Sequence, residues 1–587
     1  MIDTIVNSFD IWTDAQGIKS RTRVKSIDNI SLDGISSLRA LIIELALRGK
    51  LIPQDSTNEP SSLLLKRIEI EKGKLIDEGK INKQKDQKKI DQTKMPYALP
   101  KGWEWAWFSD SYFFQEGPGI RNWQFRASGI KLLNVQNIVV DKLILANTDK
   151  YIDSEEYKQK YLHFTIEEND LVFASSGGSW GKSAFFHDPG YKVIVNTSTI
   201  RMHPYLEDSP RNYLKLFLDS KLFKNQMIKQ LVGIQPNFGS THLLKILVPV
   251  PPSKEQYLIA SKVDELMSLC NKLEEEKFKN LKTHQVLVKT LLETLIQAGN
   301  ADELQAAWGR MSAHFDTLFC TDDSIDQLKQ TILQLAVMGK LVKQDPNDEP
   351  ASELLKKIAK EKERLVKEGK IKDNILPEVI NEQEPYRIPQ NWKWVRLGTI
   401  TNKLGSGSTP RGGNNAYSDS GILFLRSQNI RNEGLLLDDV VFIDEPTNKK
   451  MSNTIVIPND ILLNITGGSL GRSTIFPEEA KIANVSQHVT IIRPTIIEST
   501  PYLHSCITSP YIQNLIWGRQ IGANREGLSK KVLEQFEIPY PSLLEQKRII
   551  SKINELFVVC DLLKEKINKT QELKTSLSKT IIEKTVE

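Results

Sequence analysis

The sequence predicts an α+β protein in which two globular domains alternate with two helical regions. The long helices are expected to form an antiparallel coiled coil, and the whole chain a pseudo-twofold internal duplication. Three observations lead there. The chain repeats itself at an offset of 290 residues, each repeat carries a long heptad seam, and the stretches between switch to short β-rich runs. A length of 587 residues is about four times the usual domain size, so several domains are required.

The repeat is direct. LRALIIELALRGKLIPQD from Leu38 returns as LKQTILQLAVMGKLVKQD from Leu328, and NEPSSLLLKRI from Asn58 as DEPASELLKKI from Asp348. SGGSWGKS from Ser176 returns as TGGSLGRS from Thr466, and Glu255-Gln256 as Glu545-Gln546. The register slips slightly at Trp103 against Trp392 and at VQNI from Val135 against SQNI from Ser427. Helical parts match closely, whereas the β-rich parts match only at such landmarks. An offset this long is no solenoid repeat, so each copy holds whole domains.

Each element follows from its pattern. Leu38, Leu41, Ile42, Leu45 and Ala46 lie on helical spacing, with Gly49 as the stop. Pro60 opens a second helix with Leu64, Ile68 and Leu75 on one face and Gly79 near its end. The Lys-, Gln- and Asp-rich stretch to Lys94 reads as an exposed helix end and a linker. Short runs such as DLVFA, KVIVN and KILVPV then alternate with Gly, Pro, Asn and Asp, as strands and turns do. NYLKLFLDSKLFKNQMI is a helical stretch among them. From Glu255 a seam runs through Ile259, Val263, Leu266, Cys270 and Leu273, breaks near Lys277 and resumes at Leu281. The C-terminal copy runs through Ile549, Ile553, Leu556, Cys560, Leu563 and Ile567. The expected boundaries are 1–95 (helical), 96–254 (globular), 255–385 (helical), 386–544 (globular) and 545–587 (helical). The central block joins a long helix to an LAVMGKLV-type helix, and these parts are split between the two termini, so the termini are expected to meet.

Composition narrows the function. Charged residues are 26% and net charge is +5, which is compatible with nucleic acid without pointing to it. No signal peptide or membrane span is read, and the four scattered cysteines form neither a disulfide framework nor a C-x-x-C metal pair, so a reducing cytoplasm is expected. Gly181-Lys182-Ser183 suggests a phosphate loop, but that motif needs Gly where Ser176 stands, and the second copy has Arg472 for the lysine. Lys182 and Arg472 are left as the rim of a tight turn or as phosphate contacts. Val250-Pro251-Pro252-Ser253 lacks the acid or amide and the aromatic of an amino-methyltransferase motif, and the eight histidines show no metal spacing. The chain therefore reads as a recognition or scaffold subunit, with no catalytic residue, metal or cofactor of its own.

Base-reading side chains are better supplied. The first globular domain offers Arg121, Asn122, Gln124, Arg126, Asn134, Gln136, Gln235 and Asn237; the second offers Arg411, Asn414, Arg426, Gln428, Gln487, His488 and Arg525. Arg pairs bidentately with guanine and Asn or Gln with adenine, although loops carry such residues in any case.

At this point a resemblance enters. LRALIIELALRGKLIPQDSTNEPSSLLLKRI and its second copy resemble the helical conserved regions of type I restriction-modification specificity subunits, in the branch with a long N-terminal conserved segment. GSGSTP from Gly405, SQNI, TGGSLGRS and IPYPSLLEQKRIISKI from Ile538 agree; the first domain departs, with FFQEGPGIRN and NTSTIR in the matching places. The resemblance implies two target recognition domains, each reading one half of an asymmetric site in double-stranded DNA. It implies helices that set the gap and dock two modification subunits, which bind S-adenosylmethionine. Restriction subunits using ATP and magnesium would join them, in a bacterial or archaeal cytoplasm. A specificity subunit of a related enzyme that cuts on both sides of its site, and a coiled-coil scaffold without a DNA role, stand as alternatives.

Overall fold

The computed structural model describes residues 8–18, 30–83, 87–231, 236–374, 376–379, 384–412, 416–518 and 528–586. Its contacts divide the chain into two compact units: Met1–Asn280 with Thr570–Glu587, and Leu281–Lys569.

In the first unit, helix Asp33–Leu47 buries Leu38, Leu41, Ile42 and Leu45, the residues on helical spacing. It stops at Gly49, whose φ of 65° and whose distance of 2.5 Å from an added Cβ to Pro100 Cγ leave room for glycine alone. Helix Ser61–Asp77 follows Pro60 and buries Leu64 and Ile68. Eight strands of three or more residues frame the globular part: β1 (Glu104–Trp107), β2 (Tyr112–Glu116), β3 (Ile130–Leu133), β4 (Leu171–Ala174), β5 (Ser183–Phe185), β6 (Val193–Val195), β7 (Thr199–Pro204) and β8 (Leu247–Val250). An antiparallel sheet has the order β5-β4-β7-β2. β6 pairs parallel with β3 in a second sheet, and β1 pairs with β8, so the first and last strands clasp the domain. The expected single helical stretch is two helices, Arg211–Asp219 and Lys221–Ile228, because Ser220 breaks the first and its hydroxyl caps Phe223 N of the second (3.1 Å). Phe108, Phe173, Phe217 and Phe223 fill the core between helices and sheet.

The second unit uses β9 (Lys393–Arg396), β10 (Thr401–Ser406), β11 (Ile422–Leu425), β12 (Ile461–Asn464), β13 (Ser473–Ile475), β14 (Ala483–Val485), β15 (Val489–Pro494) and β16 (Glu537–Tyr540). Its main sheet has the order β10-β15-β12-β13; β9 pairs with β16, and β11 pairs parallel with β14. The same contacts recur in each unit. Tyr97 OH donates to Leu47 O (3.0 Å) as Tyr386 OH does to Val337 O (3.1 Å). Tyr213 OH donates to Pro249 O (2.9 Å) as Tyr502 OH does to Pro539 O (2.7 Å).

The landmark pairs Trp103 and Trp392, and Glu255-Gln256 and Glu545-Gln546, have a structural use. Trp103 Nε1 donates to the buried Glu255 carboxylate at 2.8 Å, Asn58 Nδ2 donates to its other oxygen at 3.2 Å, and Gln256 Nε2 donates to Pro251 O at 2.9 Å. In the second unit Gln546 Nε2 donates to Pro541 O at 3.1 Å, and burial raises the Glu545 carboxyl above its ordinary range.

Two helices dwarf the rest. Ser253–Gln297 has 45 residues and Leu543–Val586 has 44, each about 65 Å long. The first continues through Lys277, where the sequence seam breaks, because the half-buried lysine has a carboxylate partner in Asp14 and does not stop the helix. Within the first unit, the end of the C-terminal helix meets the N-terminal segment. Gln16 N donates to Gln571 Oε1 (3.1 Å), and the Ser37 and Ser578 hydroxyls are 3.2 Å apart. Asp14 takes Lys277 at 2.6 Å and Lys574 at 3.2 Å.

Two outcomes are expected. Gly49→Ala lowers the unfolding midpoint more than Gly79→Ala, because both have a positive φ but only the first Cβ meets a neighbour. Partial burial opposes ionisation of Asp14, but Lys277 and Lys574 outweigh it and hold its carboxyl below the ordinary range. The stability it contributes is thus present above the unfolded-state pKa and lost as pH falls through the folded one. Asp14→Asn should destabilise at pH 7, and denaturant titration should show the gap to the parent closing in acid.

Candidate nucleic-acid interface

An antiparallel sheet gathers loops at its two ends, and here one end collects the candidate chemistry. β2 ends at Glu116, β4 at Ala174, β5 begins at Ser183 and β7 at Thr199, and the pairing of Ile200 with Glu116 and of Thr199 with Ala174 puts these termini together. The loops leaving them are tied to one another. Gly117 N donates to Thr199 O (2.9 Å), Thr197 Oγ1 to Pro118 O (3.1 Å) and Ser175 N to Ser198 O (2.9 Å). Gly177 N donates to Pro236 O (3.0 Å), which adds the 236–239 loop. Asn196 Nδ2 donates to Asn134 Oδ1 (2.8 Å), which adds the loop after β3.

The second unit repeats this. Gly407 N donates to Val489 O (2.9 Å), Ile465 N to His488 O (3.0 Å), Leu528 N to Ile465 O (3.0 Å), and Asn464 Nδ2 to Ser427 O (2.8 Å). A Cβ added to Gly407 would lie 1.9 Å from Val485 O, so the loop can close on its neighbour only through glycine.

The candidates therefore share a location but not a state. Arg121, Asn122, Gln136 and Asn237 in the first unit, and Arg411, Gln428, Gln487 and His488 in the second, are exposed. Lys182 and Arg472 are half-buried beside their glycine turns. Lys182 lines a cavity of about 220 Å³ with Lys224, Asp141 and Asp219. Gly471 answers part of the glycine-loop question: Gln513 Nε2 donates to its carbonyl at 2.9 Å, and a Cβ there would meet Gln513 at 2.4 Å. Gln235, Asn414 and Arg525 lie outside the described residues.

Four candidates are committed to the loops themselves. Gln124 is buried; its Oε1 accepts from Arg121 N (3.0 Å) and its Nε2 donates to Glu156 (2.8 Å) and Tyr161 OH (3.2 Å). Asn134 holds Leu132 O (3.2 Å) besides Asn196. Arg126 donates to the carbonyls of Trp123 (3.0 Å) and Phe125 (3.1 Å), and Arg426 to Asp439 O (2.6 Å). A base-reading residue and a loop-bracing residue have the same identity, so composition could not separate them. Sequence reasoning also passed over Trp123, which is 75% exposed beside Arg121.

Charge at the far end of each sheet is paired internally. Arg493 grips Asp460 through Nε (2.6 Å) and Nη2 (2.7 Å), and Arg201 lies 3.5 Å from Asp170, whose carboxyl burial pushes above its ordinary range. Among the described residues no cluster of three His, Cys, Asp or Glu could hold a metal, and no helix is long and apolar enough to cross a membrane.

Known proteins resemble this chain throughout. The model of the type I restriction modification DNA specificity domain matches residues 133–283 and 389–573. The EcoAI specificity subunit of Escherichia coli is 35% identical, and the EcoEI specificity subunit of the same species 34%, each with 98% of both chains covered. A solved chain from a study of type I R-M assembly has 16% identity and a TM-score of 0.48, covering 84% of this chain and 99% of that one. The chain belongs to the type I restriction enzyme specificity subunits, the non-catalytic DNA-recognition subunits of restriction-modification complexes.

The two kinds of loop residue separate by stability. Asn429 is buried, with its Oδ1 accepting from Arg426 N (2.9 Å) and its Nδ2 donating to Leu436 O (2.9 Å). Asn429→Ala should cost about 1–3 kcal/mol in denaturant unfolding by stranding those groups. The exposed Gln428→Ala should change stability by less than about 0.5 kcal/mol.

Proposed function

We propose that the loop ends of the β5-β4-β7-β2 sheet and of the β10-β15-β12-β13 sheet are target recognition surfaces, and that the two surfaces, in domains spanning 96–254 and 386–544, read the two halves of a bipartite asymmetric site in double-stranded DNA. The observation that carries this reading is the convergence of every described candidate on loops at that one sheet end. Arg121, Asn122, Gln136 and Asn237 then present base-reading groups in the first domain. Arg411, Gln428, Gln487 and His488 do so in the second; Gln235 of the first domain and Asn414 and Arg525 of the second are candidates by sequence alone. Lys182 and Arg472 meet phosphates, which position the protein without reading sequence.

The two long helices pair antiparallel and hold the recognition surfaces apart, so helix length sets the unspecified spacer. Their lengths of 45 and 44 residues support this, as does the heptad seam. Exposed apolar residues on the same helices, Leu269 and Leu562 among them, suit the docking of two modification subunits. Those subunits supply S-adenosylmethionine chemistry, and restriction subunits supply ATP- and magnesium-dependent cleavage.

Exchanging residues 96–254 for another recognition domain should change one half-site in a methylome and leave the other intact; changes in both halves would sink the modular reading. Gln428→Ala should relax one position of the second half-site by about 1–3 kcal/mol of discrimination, read from competition binding of the assembled complex.

A further inference from the structure

Trp123 is an expensive residue to leave in water. At 75% exposure it is the most exposed large hydrophobic side chain among the described residues. It stands on the turn Asn122–Gln124, in the loop that leaves the end of β2. The turn beneath it is braced from both sides. Gln124 bridges Arg121 N to Glu156 and Tyr161, while Arg126 Nη1 donates to the carbonyls of Trp123 and Phe125, and Arg126 N to Tyr151 O at 2.8 Å. The backbone of the indole is therefore ordered before any partner arrives, so binding pays little to fix it. Arg121 and Arg126 flank it in sequence, Lys150 lies over the neighbouring Phe125 ring at 4.6 Å, and the one carboxylate bonded to the turn, Glu156, is taken up by the Gln124 amide.

A rigid aromatic plate between cations matches a base step flanked by phosphates. The plate offers stacking area to any base, and the cations offer contacts to the backbone on either side. In the second domain the matching loop carries Tyr417 where the first has Phe125, and its ring is half-buried against Phe424 with centroids 5.6 Å apart, so no exposed aromatic stands there among the described residues. We infer that Trp123 is a stacking wedge that inserts at one base step of the half-site read by the first domain, and that the second domain has no equivalent. The inference rests on the DNA-reading proposal above and adds a mode of contact that hydrogen-bonding residues cannot supply. One half of the site is then unstacked locally on binding, and the other is not deformed by this means.

The test uses the full chain assembled with its modification subunits and duplexes carrying 2-aminopurine at successive positions of the methylome-defined site. Fluorescence should rise at one step in the first half-site with the parent and with Trp123→Phe, and not with Trp123→Ala. Trp123→Ala should also bind specific DNA roughly ten- to a hundredfold more weakly, with an unchanged melting temperature because the side chain is exposed. Specific binding with no fluorescence change at any step, or Trp123→Ala binding within twofold of the parent, overturns the wedge and leaves the DNA reading intact. Absence of sequence-specific binding by the parent complex overturns both.

Discussion

The buried Glu255 carboxylate is the joint on which the first domain depends. It receives the Trp103 indole and the Asn58 amide, so the residue that opens the central helix also holds the start of the domain and the N-terminal helical region. A carboxylate out of water is costly unless its oxygens are bonded, and here each oxygen has a donor. The clasp of β1 with β8 and the bond from Gln256 to Pro251 close the same corner. The domain can therefore vary its loops without loosening its attachment to the helix. The second unit keeps the Gln546 bond and buries Glu545, and adds an Arg548–Asp348 ion pair where the first unit has Asn58.

Loop variation is tolerated because the frame is made of backbone. The ladders that bring Glu116, Ala174, Ser183 and Thr199 together need no particular side chain, and glycines such as Gly407 allow the loops to close on one another. Bracing residues then set each loop's shape from within. Asn134 and Asn137 in the first unit, and Asn429 in the second, spend their amides on neighbouring backbone. The side chains left exposed stand on loops whose shape is held from within.

The division of the chain by contacts cuts through both long helices. The first unit takes 570–587 from the C-terminus, and Asp14, Gln16 and Ser37 meet that segment directly. Each unit thus combines helical pieces that are distant in sequence around one globular core, and in the first unit the segment holding Asp14 and Gln16 is bonded to the C-terminal helix.

Much of this was legible in the chain itself. The repeat, the helices after Leu38, Pro60, Leu328 and Pro350, and the two long helices follow from periodicity, because a buried helical face must recur about every 3.6 residues. The break at Ser220 was not legible, since the apolar spacing runs on across it and only capping decides. Nor was the sorting of the candidate site. Arg121 and Gln124 are three residues apart and equally polar, yet one is exposed and the other buried beneath it. Local sequence determined which elements form. Tertiary structure alone decided which loops share a sheet end and which polar groups on them are already bonded, because strand pairing joins residues far apart in the chain and hydrogen bonds go to whichever group the fold brings near.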